Sequence, residues 1–185
     1  CRAGISALLD IAGRQASQLK ASDLGFVLGP RLNAAGRMES MEIGIECLLA
    51  PDLATAYPLA EQLNQLNIER RQVEGQMKQD ALVELEKLNL NQHDLPAALI
   101  LFEEHWHQGV IGIVAGRLKE QFHRPSIVFA ADEDGLHLKG SARSIEGIHI
   151  RDVIEQVAEQ YPHIVSHFGG HAAAAGLKKE KTHFT

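Results

Sequence analysis

Between Asp52 and Asn89 the chain carries a single glycine, Gly75, while Leu59, Leu63, Leu66, Val73, Met77, Leu82, Leu85 and Leu88 recur largely at intervals of three and four. That spacing gathers the apolar side chains on one stripe of a helix and predicts a long helical segment, kinked at Pro58. At ~1.5 Å per residue it spans roughly 55 Å. A rod of that length exceeds what a small domain needs, so it reads as a connector, with a break at Asn91 to Pro96. The chain accordingly divides into residues 1–50, a connecting helix at 51–90, and a second domain at 91–185.

Ahead of the rod, Ile5, Leu8, Leu9 and Ile11 mark a helix ending near Gly13, followed by a second short one. Ala21 to Met38 combines an N-cap pair, an apolar stretch and what reads as a loop punctuated by Gly29, Pro30 and Gly36, on which the arginines sit. Met41 to Ala50 suits a helix stopped by Pro51. Beyond the rod the pattern alternates. Ala97 to Phe102 and Ser126 to Ala130 are strand-like, Gln108 to Phe122 is helical, and Asp132-Glu133-Asp134-Gly135 is a hairpin turn into a strand at Leu136 to Arg143. A helix at His149 to Gln160, a strand or loop at His163 to Phe168, a Gly169-Gly170-His171 turn and a last strand at Ala174 to Lys178 complete it. Strands separated by helices predict an α/β fold: a mixed sheet with helices packed on it. The run Ala172 to Ala175 is expected to serve close packing.

The net charge is −6, and each half carries the same excess: 12 acidic against 9 basic residues in 1–90, and 12 against 9 in 91–185. A broad cationic surface for nucleic acid is excluded, and phosphate binding has to be local, set by a few arginines in a cleft. The longest apolar run, Leu95 to Phe102, has Pro96 inside it and falls far short of the roughly 20 residues that cross a bilayer. Only Cys1 and Cys47 are present, too few for a disulfide scaffold, which fits a reducing compartment and points to the cytoplasm. Cys1-Arg2-Ala3-Gly4 lacks the build of a signal peptide, and the sequence reads as a piece of a longer chain.

Four elements carry chemistry. In Gly169-Gly170-His171-Ala172-Ala173-Ala174-Ala175-Gly176, paired glycines let backbone approach a ligand and His171 can donate to a phosphate oxygen. An ordinary tight turn with a surface histidine fits the spacing equally well. In Gly140-Ser141-Ala142-Arg143-Ser144, period-two geometry puts Ser141 and Arg143 on one face, where hydroxyl and guanidinium converge on an anion. Taken alone, a solvated arginine beside a sheet edge is the plainer account. On the loop carrying Arg31, Asn33 and Arg37, the two arginines could fork onto successive phosphates or pair with carboxylates at a domain interface, and Arg70 and Arg71 fit a solvated helix face. His105-Trp106-His107 and the pair His163/His167 raise a zinc site, but no HExxH-type motif accompanies them. The stronger account is a loop ordered by Trp106, with that indole also available to stack on a base.

Asp23-Leu24-Gly25-Phe26 running into Gly29-Pro30-Arg31-Leu32-Asn33-Ala34-Ala35-Gly36-Arg37-Met38 resembles the signature of the RecJ nucleases. Trp106-His107-Gln108-Gly109-Val110-Ile111-Gly112-Ile113, Gly140 to Ser144 and Gly169 to Gly176 resemble the associated domain of that DHH phosphoesterase family, in the family's order. The resemblance spans nearly the whole chain. It implies a 5′→3′ exonuclease on single-stranded DNA, active in repair and recombination, with two Mn2+ or Mg2+ ions activating water.

By the same resemblance, residues 1–50 are the end of the DHH catalytic domain and 91–185 the substrate-binding domain. The Asp-His-His tripeptide that resembles the family's metal site is absent, so this piece binds no metal by itself. Ser141, Arg143 and one of Arg31 or Arg37 would capture the 5′ phosphate, while His171, Gly169 and Gly170 would face the scissile region. Expected partners are single-stranded DNA and, beyond it, a single-strand-binding protein or a helicase. The alternatives are a family member cleaving oligoribonucleotides or cyclic dinucleotides, and a non-catalytic nucleic-acid-binding module.

Overall fold

The computed structural model describes residues 2–87 and 96–183. The expected break at Asn91 to Pro96 falls, apart from Pro96, outside the described residues. By compactness the chain divides into residues 1–72 and 73–185, so the dividing line runs inside the long helix.

In the first unit, α1 (Ala3–Ile11) is followed by a 3-10 turn at Ala16–Gln18. The short α2 (Ala21–Asp23) then widens into a π-helical turn at Leu24–Leu28 and continues as α3 (Gly29–Met38). The loop expected around Gly29, Pro30 and Gly36 is thus a helix. Pro30 lies at its first positions, where a missing N–H costs nothing, and Gly36 is tolerated within. Next come α4 (Glu42–Leu49) and α5 (Leu53–Lys87), the latter 35 residues long with Pro58 accommodated in its second turn. Leu8 and Leu9 of α1, Ala34 and Ala35 of α3, Cys47 of α4, and Leu63 and Leu66 of α5 share one buried cluster. The early part of α5 is therefore a core element and not a bare spacer.

The second unit is built on a five-stranded mixed sheet in the order β1-β2-β3-β5-β4. Its strands are β1 (Leu99–Phe102), β2 (Ser126–Ala131), β3 (His137–Arg143), β4 (His167–His171) and β5 (Ala174–Glu180). β1 and β2 run parallel, joined through α6 (Ile111–Phe122); the other pairs are antiparallel. α7 (Ile150–Gln160) follows β3, and His149 caps it by accepting from the Asp152 N–H.

Alternation along β3 sorts its side chains cleanly. Leu138 and Ala142 join Phe129, Ile150, Ile154, Ala175 and Leu177 in the core beneath α7, while Ser141 and Arg143 turn to the opposite face, where α6 lies.

Two sequence expectations are corrected here. Gly169, Gly170 and His171 lie in β4, and the bend is made by Ala172 and Ala173 instead. Pairing with β5 supplies ladder partners that a local glycine signal cannot foresee. For the same reason the alanine run is not uniformly packed: Ala175 is buried, whereas Ala172 and Ala173 are exposed in the bend.

The acidic turn before β3 clamps Lys178 of β5, whose Nζ lies 2.7 Å from Asp132 Oδ2 and 3.0 Å from Asp134 Oδ2. The Lys178 hydrogen bond holds the Asp132 carboxyl below its usual range, and the two aspartates raise the Lys178 ammonium. A carboxylate lowered in the folded state contributes stability above its unfolded pKa of about 3.9, lost as the solution is acidified; a raised lysine contributes below about 10.4, lost as pH rises. Lys178→Gln is therefore expected to flatten the acid limb of the thermal midpoint between about pH 5 and pH 2. Parallel limbs for parent and variant would remove the clamp from the account of stability.

Candidate functional site

Strand register decides which residues can meet one ligand. Ser141 pairs with Gly176, which pairs with Gly169; Arg143 pairs with Ala174, which pairs with His171. Directly paired residues project to one side of a sheet, and so do residues two apart. Ser141, Arg143, Gly169, Gly176 and His171 therefore share a face. Gly170 pairs with Ala175, and Ala175 with Ala142, so it belongs to the α7 side. β3 is the central strand of the five, which sets aside the sheet-edge account of Arg143.

On this face Arg143 is half-buried. Its Nη1 donates to Ser141 Oγ at 3.0 Å and to the Ala142 carbonyl at 2.8 Å. Accepting from the guanidinium leaves the Ser141 hydroxyl proton to be donated to another acceptor. His171 is exposed, and its Nδ1 accepts the Ala173 N–H at 3.3 Å. In the neutral ring the proton is then on Nε2, which presents an outward donor. Gly169 and Gly176 leave the neighbouring surface bare, because nothing projects from them.

The head of α6 completes the arrangement. Gly112, in its first turn, lies against both Ser141 and Arg143: a Cβ there would be 2.8 Å from Arg143 Nη2 and 2.9 Å from Ser141 Oγ. That first turn contains no acidic residue. It brings the positive end of a 12-residue helix beside a guanidinium, an arrangement that favours an anion. Sequence reasoning missed Gly112, although a glycine at 112 inside a helical pattern is a signal that something approaches closely.

The other predicted residues are placed differently. Arg31, Asn33 and Arg37 lie on α3, in the first unit. Six positions on a helix amount to about 240° of rotation, so the two arginines do not fork toward one point. Arg31 is engaged within its own unit: Nε donates to Asn64 Oδ1 at 2.9 Å and Nη1 to the Val27 carbonyl at 2.7 Å. Burial, and then the neighbouring Arg71, lower its pKa. Asn33 and Arg37 are exposed.

Trp106 does not offer itself for base stacking. It is buried, with Nε1 3.4 Å from Asp80 Oδ2 of α5, and His105 Nε2 lies 3.1 Å from the same carboxylate. The loop is thus ordered against α5. His163 sits in the turn after α7 and His167 begins β4, so their helical spacing is not realised. Among the described residues no three His, Cys, Asp or Glu side chains are grouped to hold a metal. On the α7 side, a groove of about 420 Å³ is lined by Ile100, Ile127, Ile150, Val153 and Val157. Its wall is otherwise apolar, with Lys179 as its charged member.

Residues 95–183 match the DHHA1 domain family. Over 184 residues the chain is 50% identical to the single-stranded-DNA-specific exonuclease RecJ of Haemophilus influenzae and 50% identical to that of Escherichia coli; each alignment takes in 100% of this chain and 32% of the relative. The crystal structure of RecJ from Thermus thermophilus in complex with Mg2+ superposes with a TM-score of 0.81 at 29% identity, over 98% of this chain and 26% of that one. Its Mn2+ complex gives 0.80 at 30%, over 98% and 25%. The chain spans about a third of the length of the curated relatives it matches.

Proposed function

We propose, from the match of residues 95–183 to the DHHA1 domain family, that this chain is the substrate-holding part of a 5′→3′ exonuclease specific for single-stranded DNA. The observation that carries the proposal is the shared face of Ser141, Arg143, Gly169 and His171 at the head of α6. The names borne by relatives half identical across this chain support it.

The face suits a strand end. A terminal phosphate carries close to two negative charges and three acceptor oxygens. The Arg143 guanidinium provides charge-assisted donors, Ser141 a hydroxyl, the first turn of α6 its dipole, and His171 a donor from Nε2. Bare backbone at Gly169 and Gly176 lets the following nucleotides lie close to the sheet without a side chain to read their bases. Capture of an end in this way needs few cations, in keeping with a net charge of −6.

Divalent ions supply the activated water and stabilise the leaving oxygen in such a cleavage. We propose Mn2+ or Mg2+, the two ions in the Thermus thermophilus complexes. The described residues of this chain do not fit a metal, so we assign the ions to the remainder of the full-length protein and derive no step through them here. A cytoplasmic role in repair and recombination follows from the same proposal. Single-strand-binding protein and helicases are the partners to test beside it.

The test uses full-length protein, a 5′-phosphorylated single strand labelled at its 3′ end, and Mn2+. Stepwise shortening from the 5′ end is expected, with duplex DNA spared. The 185-residue chain alone is expected to bind the strand and hydrolyse none of it. Faster cleavage of oligoribonucleotides or cyclic dinucleotides would overturn the substrate, and metal-dependent hydrolysis by the clean 185-residue chain would relocate the active centre.

A further inference from the structure

Gly112 stands where a helix ordinarily favours another residue. Glycine in a helix costs roughly 0.5–1 kcal/mol relative to alanine, and α6 is otherwise a well-packed amphipathic helix with Val114, Ala115 and Leu118 buried. What Gly112 allows is contact. With no side chain, Gly112 leaves room for the Ser141 hydroxyl and the Arg143 guanidinium: a Cβ added there would come within 2.9 Å of the Ser141 Oγ and 2.8 Å of the Arg143 Nη2. Both neighbours are side-chain atoms, and the nearer is the far end of a flexible arginine. Adding a methyl group would therefore push the guanidinium aside and leave the backbone of the sheet in place.

Gly116, one turn further along the same helix, has nothing within 4 Å of its missing Cβ. It provides a matched position where the methyl group meets open space.

We infer that Gly112 is a positioning residue for phosphate capture: its missing side chain lets the first turn of α6, the Ser141 hydroxyl and the Arg143 guanidinium aim at one anion. The inference rests on the 5′-phosphate role proposed above and gives it a third component. Like-signed partners, the helix head and the guanidinium, are held together at contact distance, and a phosphate placed alongside them is attracted by both. Displacing the guanidinium by even an ångström separates them and turns one concerted site into two weaker ones.

The measurement compares parent, Gly112→Ala and Gly116→Ala in the full-length protein. Each is titrated with the same single strand bearing a 5′ phosphate or a 5′ hydroxyl, and each is melted. The parent is expected to prefer the phosphorylated strand. In Gly112→Ala that preference falls about tenfold, the scale of one charge-assisted hydrogen bond. Its affinity for the hydroxyl strand stays level, and its melting temperature is unchanged or slightly raised because alanine favours the helix. Gly116→Ala keeps the parental preference.

A Gly112→Ala protein with full phosphate preference would overturn the inference. So would equal weakening for both strands with a lowered melting temperature, which would mark a packing role. A parent with no preference for the phosphate would overturn the 5′-phosphate role itself, and the inference with it.

Discussion

Replacing Arg143 by alanine in the full-length protein is expected to weaken binding of a 5′-phosphorylated single strand by about 10- to 100-fold, the range of one or two hydrogen bonds to a charged group. A strand ending in a 5′ hydroxyl should change by no more than about threefold. Arg143 leaves β3 on the face shared with Ser141, Gly169 and His171, and its donors already reach Ser141 Oγ and the Ala142 carbonyl. The guanidinium is thereby held in one orientation before any ligand arrives, which lowers the entropy lost on binding.

Removing this one contact should also reduce the slope of log affinity against log salt by about 0.7, the contribution of one phosphate contact in a single strand. Arg143→Lys should fall between parent and alanine, since it keeps the charge but loses the planar fork. Identical titrations for parent and Arg143→Ala across a salt series would remove this residue from the site.

The second large effect separates two adjacent glycines. Gly170→Ala is expected to destabilise the sheet unit by about 2–4 kcal/mol, seen as a fall of ~10 °C or more in melting temperature. Gly170 has φ +153°, and an added Cβ would lie 2.4 Å from the Ala174 carbonyl oxygen and 2.5 Å from the Ala175 Cα. These are backbone atoms of the paired strand, so no side chain can yield and β4 would have to separate from β5.

Gly169→Ala meets nothing within 4 Å, and stability should stay within about 0.5 kcal/mol of parent. Its methyl group would instead stand beside Gly176 on the face of Ser141 and Arg143, so strand binding is where its effect would show. The two glycines thus serve different ends, one the close approach of β4 to β5 and one the open face of the sheet. Tolerance of alanine at 170 together with a severe loss at 169 would contradict the register of β4.

Much of this was legible from local pattern because local forces dominate there. The apolar stripe of Leu63, Leu66, Met77 and Leu85 needs only helical periodicity to be seen, and all four are buried. The shared face of Ser141 and Arg143 needs only the alternation of a strand. Where expectation failed, a partner distant in sequence was responsible. Gly29-Pro30-Arg31 reads as a loop by its glycine and proline, yet it begins a helix because α3 packs Ala34 and Ala35 against Leu8, Leu9 and Leu63. Trp106 reads as available for stacking until Asp80 of α5 engages its indole N–H.

By itself the sequence determined most of the helices and strands, the mixed α/β class, the local character of any phosphate binding, and the residue types able to provide it, which follow from period, charge and composition along the chain. Only the tertiary structure decided that Gly169 opens onto the face of Ser141 and Arg143 while Gly170 abuts β5, that Arg31 is engaged by Asn64 and the Val27 carbonyl within its own unit, and that Gly112 seats the head of α6 against Arg143. The glycine placements depend on which strands pair and in what register, and the Arg31 contact with Asn64 on how α3 meets α5. Pairing energy is shared among residues far apart in the chain, so no local window contains it.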